Sequence, residues 1–337
     1  MRVYSSCDEK EFIFSVVIAI YNSEKFLNET IDSVINQSIG FWENIQLVLV
    51  NDGSSDRSLD ICLDYFNNYS QNVIVIDKEN SGVSNARNVG VEFATGRYIN
   101  FLDSDDKFDE DAFSIIYNFE KKYDGIVDVV TCRQLLFGDK SGDSWYNKKL
   151  DKGTRVIDLF KEPKVYLNST NSSFFHKRIK NQLHFDEELS IAEDLKVVNT
   201  ILMNKWKLGV VKEATYYYRI RTGSLVNTAK QKYNYYLPYL KRVPQWFFDM
   251  CEMRCGFIPE FLQYTLLRDM YNRINNNIEA KDVLSEEEYE EYSTILTKTL
   301  CKIDDKVIMN NDFLNSDYYL YLLSLRYGVP MLRTIEN

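Results

Sequence analysis

The chain is poor in the residues that build flexible or fibrous polymers. Its 337 residues include only 13 Gly and 5 Pro, which excludes collagen-like, linker-like and disordered chains. Histidine is scarcer still. His176 and His184 have no paired ligand motif, so both read as ordinary surface or packing residues. The cysteines Cys7, Cys62, Cys132, Cys251, Cys255 and Cys301 are scattered, as in a reducing compartment. Cys251 and Cys255 lie one helical turn apart but lack the second pair that a zinc site needs. A basic excess is absent too: 40 Lys and Arg against 50 Asp and Glu give a net charge of −10. No general grip on nucleic acid follows from that balance. Long apolar runs are missing. The stretch Phe14 to Tyr21 is far short of a membrane span, and MRVYSSCDEKEF has no signal-peptide core. The expected location is the cytoplasm. Two phosphate-binding loops are also lacking. The turn after the first apolar run, Tyr21-Asn22-Ser23-Glu24, contains no glycine, which rules out a dinucleotide fingerprint there. No G-x-x-x-x-G-K-[ST] occurs anywhere.

What is present is ample apolar material, 45% of residues, in a chain long enough for about two domains. The first third alternates between two periods. Strands are expected at Phe14–Ile20, Ile45–Val50, Val73–Ile76, Tyr98–Leu102 and Val127–Cys132, mainly apolar as buried parallel strands are. Between them the spacing predicts helices. One runs to about Ile39 from a cap at Asn22 or Ser23, one opens at Ser54-Ser-Asp56, and two cover Ser84–Phe93 and Asp109–Tyr123. Strict alternation means an α/β domain with a mostly parallel sheet flanked by helices. The middle, about 135–190, is irregular with room for short β segments. A helix is expected at Ala192–Asn204 and one or two strands over Lys207–Arg219. From 226 the texture is helical and rich in Tyr. The expected division is a catalytic domain over 1–225 and a helical C-terminal domain over 226–337.

In open α/β sheets, ligands bind beyond the carboxyl ends of the strands. Three such ends carry polar residues: Tyr21-Asn22, Asn51 to Asp56, and Asp103-Ser104-Asp105-Asp106. Parallel strands would bring all three to one edge. Asp103 and Asp105 fall on one side of an extended segment, and hard oxygen ligands of this kind suit Mg²⁺ or Mn²⁺ on a diphosphate. An EF-hand reading of DSDDKFDED fails, because Phe108 stands where that loop needs Gly and Ser114 where it needs Glu.

These segments also carry a resemblance. SVVIAIYNSEKFLNETIDSVINQS, LVLVNDGSSDRSLDIC and ENSGVSNARNVGVEFATGRYINFLDSDD resemble glycosyltransferase family 2, whose fold is GT-A. The match covers about 14–106 and continues more loosely through FDEELSIAEDLKVVNTIL and YYYRIRTGSLVN. It looks most like bacterial enzymes acting on capsule, teichoic acid or lipopolysaccharide. The resemblance implies an inverting hexosyltransferase that uses Mn²⁺ or Mg²⁺ and a nucleotide sugar of the UDP type. It implies that Tyr21, Asn22, Asp52, Gly82, Arg87 and Ser104 line the nucleotide pocket, Asp52 on the base or ribose. Asp103 would meet the ribose or the metal's water shell, and Asp105 the metal itself. Asp194 would be the catalytic base, with Glu193 beside it, and Arg219, Arg221 and Ser224 would close over the diphosphate. Some relatives carry a metal-binding His where Arg221 stands, so the third metal contact is open.

The chemistry is coherent on its own terms. Expelling a nucleoside diphosphate needs its charge stabilised, and the attacking hydroxyl needs a base. The alternative is a catalytically silent module that binds sugar nucleotides. The acceptor is expected to be a glycan or a lipid-linked glycan. Trp145, Tyr146 and Tyr166 are candidates for its wall. The rings and bases of Tyr233, Tyr235, Tyr236, Tyr239, Lys241, Arg242, Trp246 and Phe247 suit a peripheral membrane contact, a lipid-linked acceptor, or plain helix packing. The C-terminal helices could also pair two copies of the chain.

Overall fold

The computed structural model describes residues 1–6, 10–189, 191–221, 231–274 and 280–328. They fall into two compact units. The first comprises Met1–Leu159, Leu167–Glu188 and Glu193–Thr222, and the second Phe160–Tyr166, Leu189–Ala192 and Gly223–Asn337.

The first unit is built on an 11-stranded sheet. Its strands are β1 Arg2–Tyr4, β2 Phe14–Ile20, β3 Ile45–Asp52, β4 Val73–Lys78, β5 Tyr98–Asp103 and β6 Lys107–Phe108. They continue with β7 Val129–Gly138, β8 Gly142–Asp143, β9 Arg155–Asp158, β10 Ser173–His176 and β11 Lys207–Ile220. The main order is β1-β4-β3-β2-β5-β10-β7-β11-β6. β4, β3, β2 and β5 are parallel neighbours. Their runs of Val, Ile and Leu are buried because helices cover both faces. Those helices are α1 Leu27–Ile35, α3 Ser58–Tyr69, α4 Val83–Phe93, α5 Ala112–Tyr123 and α6 Glu193–Lys205, with a single turn, α2, at Phe41–Asn44. α4 lies so close to β2 that a Cβ on Gly90 would sit 2.3 Å from Val17 Cγ1. A cluster of rings welds the two halves of the sheet, with Phe14 4.9 Å from Phe113 and Phe108 5.2 Å from Tyr216.

The architecture matches the expected α/β sheet, with three local departures. α1 begins at Leu27 and has no side-chain cap. Asn22 and Ser23 are drawn sideways instead: Asn22 N–H donates to Ser54 Oγ (3.0 Å) and Ser23 N–H to Ser58 Oγ (2.8 Å). α5 begins at Ala112, because the preceding residues first pair with β11 as β6. The irregular middle supplies β10, a central strand antiparallel to both β5 and β7. β11 is one strand whose register against β7 shifts between Val211 and Thr215. On α5, Glu120 is buried with both carboxylate oxygens shut off from solvent. Burial pushes it up to about 8. His176 packs edge-on against Tyr98, 5.3 Å away, and its Nδ1 accepts from Arg178 N–H.

The second unit is helical. Its main helices are Trp246–Cys255, Glu260–Ile274, Glu286–Cys301 and Ser316–Tyr327. Ser285 and Glu288 form a capping box at the third of these. Inside, buried Arg273 pairs with Asp269 (2.9 Å) and lies 3.5 Å from the Tyr239 ring centroid. Tyr235, Tyr236, Tyr239 and Phe247 are buried, so most rings of the 233–247 stretch pack inward. Tyr166 also belongs here, its hydroxyl donating to Asp269 Oδ1 (3.4 Å). Trp145 stays with the first unit, stacked on Tyr146 at 3.9 Å. Among the described residues, no helix is long and apolar enough to cross a membrane.

Candidate active site

The sheet order reverses around β2, with β3 on one side and β5 on the other. A crevice opens beyond the carboxyl ends at such a point. Registers Ile20 to Asn51 and Ala19 to Asp103 bring the three polar strand ends together. Side chains then stitch them: Ser23 Oγ and Ser104 Oγ are 2.6 Å apart, and Asn22 Oδ1 accepts from Ser55 N–H (2.8 Å). Asn22 itself adopts φ 49°. Tyr21 and Asn22 are both exposed at this edge.

Asp52 is buried and fully occupied. Its carboxylate takes Lys78 Nζ, Ser81 N–H (3.0 Å) and Gly82 N–H (2.8 Å). It therefore shapes the loop that leads into α4. Gly82 has φ 91° and ψ 162°, a region essentially closed to other residues. A Cβ there would touch nothing, so the backbone angle alone demands the glycine.

The acidic centre is organised by one cation. Arg87 Nη2 donates to Asp103 Oδ1 (2.9 Å), and Nη1 donates to Glu193 Oε1 (3.0 Å) and Asp194 Oδ1 (2.8 Å). The guanidinium is buried and faces the Phe185 ring at 5.3 Å. Arg87 thus divides its charge among three carboxylates. Asn171 Nδ2 holds the other Asp103 oxygen (3.0 Å), and Thr170 N–H holds the other Asp194 oxygen (3.2 Å). Burial first, and Asp194 next, push Glu193 up to about 7. Burial also raises Asp194, against the pull of Arg87. Ala192, just before α6, has φ 76°, a strained angle for a residue with a Cβ.

Asp105 and Asp106 face the end of β11. Arg221 Nε donates to Asp105 Oδ2 (2.6 Å). Arg219 Nε donates to the Asp105 carbonyl (2.6 Å), its N–H to Asp106 Oδ1 (2.6 Å), and its Nη2 to Glu29. Asp106 is buried and also accepts from the Tyr216 hydroxyl. Asp105 is raised by burial first and by Asp103 second, with Arg221 opposing. Ser224 lies outside the described residues.

Among the described residues, no three His, Cys, Asp or Glu side chains form a ready metal cage. Mg²⁺ does not require one, since it usually binds one or two carboxylates and completes its shell with water and substrate phosphates. Asp105 fits that pattern. It is an oxygen donor at a strand end whose negative charge is crowded by Asp103.

Sequence reasoning missed Asn171, Thr170, Glu29 and Phe185. The first two sit in the loop before β10. They reach the site only because an antiparallel strand begins at the edge where its parallel neighbours end. No sequence motif marked them.

A sequence model of the family described as Glycosyl transferase family 2 matches residues 15–183. The minor teichoic acid biosynthesis protein GgaB of Bacillus subtilis (strain 168) is 38% identical over 95% of this chain, which spans 36% of GgaB. GgaA of the same organism is 38% identical over 67% of this chain, and the match covers 52% of GgaA. The chain thus spans about half or less of these relatives' length. Among solved structures, S. aureus TarS 1-349 in complex with UDP-GlcNAc aligns over 93% of this chain and 87% of its own. The TM-score is 0.72 at 21% identity. The mannosyltransferase PcManGT from Pyrobaculum calidifontis, with GDP-Man and Mn²⁺, aligns over 97% and 90%, with a TM-score of 0.55 at 13% identity. These two likenesses are of fold.

Proposed function

The chain belongs to glycosyltransferase family 2, and from that premise we propose that it moves a sugar, with inversion, from a UDP-type donor to a hydroxyl of a bacterial surface glycan. The observation that carries the reading is the Arg87 cluster. It ties the strand-end Asp103 to Asp194 at the start of α6, so a donor-side acid and a candidate base share one cation.

In this proposal Asp194 accepts the acceptor's hydroxyl proton as that oxygen attacks the anomeric carbon. The bond to the diphosphate breaks on the opposite face, and the electron pair leaves with the nucleotide. Burial makes Asp194 a better base than a solvated carboxylate, and Arg87 and Thr170 fix its orientation. Asp105, with Asp103 behind it, would hold Mn²⁺ or Mg²⁺, which when bound supplies positive charge to the leaving diphosphate. Arg219 and Arg221 would add to that charge, and Ser224 would help close the site. Tyr21, Asn22, Gly82 and Ser104 are assigned to the nucleotide. Asp52 and Arg87 are reassigned as supports: one holds the 81–82 loop and the other the acids. The names of GgaB and GgaA favour a teichoic-acid-like acceptor, and the ligand of TarS favours UDP. The proposed location is the cytoplasm, with peripheral contact at the inner face of the membrane.

A panel of UDP-sugars with Mn²⁺ and a teichoic-acid acceptor tests this. Wild type releases UDP with at least one donor. Asp194→Asn loses about 10²- to 10⁴-fold in turnover yet still binds UDP with Mn²⁺. Turnover that survives unchanged in both Asp105→Asn and Asp194→Asn would show that the site is misassigned. Donor binding without any turnover in wild type would favour the silent module.

A further inference from the structure

Arg219 and Arg221 leave the same strand end but are held very differently. Arg219 is built in. It makes three hydrogen bonds to the Asp105–Asp106 turn and Glu29, and its guanidinium lies 4.6 Å and 4.2 Å from the ring centroids of Phe26 and Phe137. Its side chain is 13% exposed. Arg221 is an arm, 45% exposed, paired from Nε to Asp105 Oδ2 at 2.6 Å and 5.7 Å from the Phe26 ring centroid. Asp103 is already paired with Arg87 from within. Asp105 instead takes its counter-charge from outside, through a side chain that solvent can reach.

Resting on the proposed function, we infer that Arg221 is the resident counter-ion of Asp105. It fills the carboxylate while donor is absent, yields it to the divalent cation, and then turns its freed guanidinium to the donor diphosphate. The physical ground is competition. An arginine and a metal ion are both cations seeking one carboxylate oxygen, and like charges at that distance repel. Cation and diphosphate then help each other bind. The cation releases Arg221, and the diphosphate gives the released Arg221 an anion of matching geometry. Linkage makes this coupling reciprocal.

Mn²⁺ affinity is measured by electron paramagnetic resonance on the full chain, alone and with saturating UDP. The proteins are wild type, Arg221→Met and Arg221→Lys, each checked for native circular dichroism. Without UDP, Arg221→Met binds Mn²⁺ about five- to tenfold more tightly than wild type, and Arg221→Lys falls between. With UDP, the tightening seen in wild type shrinks in Arg221→Met by a similar factor. If wild type binds Mn²⁺ and UDP but Arg221→Met and Arg221→Lys bind Mn²⁺ no more tightly, the counter-ion role is wrong and the proposed function stands. If wild type binds UDP and no divalent ion, the metal reading fails and the counter-ion role fails with it.

Discussion

Arg87→Met removes the cation shared by Asp103, Glu193 and Asp194 and leaves a side chain that still fills apolar space. The cost should depend on pH, and its sign can be worked out. In wild type Glu193 is raised to about 7 from an ordinary 4.5. A carboxyl raised on folding contributes stability that is complete below 4.5 and is lost as pH climbs through about 7. A shift of that size is worth about 3 kcal/mol across the window. At pH 8 the variant therefore holds buried carboxylates with no partner cation, and breaking such a cluster costs about 3–5 kcal/mol. At pH 5.5 Glu193 already carries its proton, and burial raises Asp194 in the same direction. The loss then falls to about 1–2 kcal/mol, the scale of hydrogen bonds left unmade. Urea unfolding followed by far-ultraviolet circular dichroism at both pH values measures the difference. An equal loss at pH 5.5 and 8 would contradict the electrostatic account and make Arg87 a packing residue against Phe185.

Glu120→Gln should be nearly neutral below pH 5 and stabilising above pH 8 in thermal melts. The wild-type carboxyl sits at about 8 through burial, and its contribution is lost as pH rises from 4.5 through that value; no gain at pH 9 would refute the burial argument. Gly90→Ala should lower stability by about 1–3 kcal/mol through overpacking, because the new Cβ meets Val17 at 2.3 Å. Gly82→Ala should cost a similar amount, about 1–3 kcal/mol, through its backbone angle alone. Restoring a small side chain's space nearby should then rescue Gly90→Ala but not Gly82→Ala, read as thermal midpoints.

The parallel half of the fold was legible because β2 and β3 are buried on both faces. Their apolar runs therefore carry no competing signal. β10 was not legible. Ser173–His176 is only four residues long, sits among irregular segments, and owes its place to partners on distant β5 and β7. The helix start at Asn22 or Ser23 was misread because the Asn22 side chain accepts from Ser55 and the Ser23 hydroxyl meets Ser104, so neither side chain caps α1. The acids of the site were visible at strand ends, since alternation alone brings such ends to one edge. Their partners were not. Arg87 and Glu193 are 106 positions apart, and nothing local says that one buried guanidinium will collect three acids. Asn171 and Thr170 were single polar residues in a loop without periodicity.

The reversed direction of β10 also bears on how the molecule becomes active. Ser173 lies 42 positions from its partner Thr131 on β7 and Phe174 lies 74 from Asn100 on β5, while Phe14 and Tyr98 pair β2 with β5 across 84, so the pairings that frame the site are all non-local, and such closures are slow beside local helix formation. Asn171 and Thr170 arrive at Asp103 and Asp194 only when that strand is seated. A refolding chain should thus recover most of its helical signal before its two key carboxylates acquire their final bonds. Maturation of the site is tied to a late folding step, so a partly folded chain in the cell would carry the family's motifs without the geometry to use them.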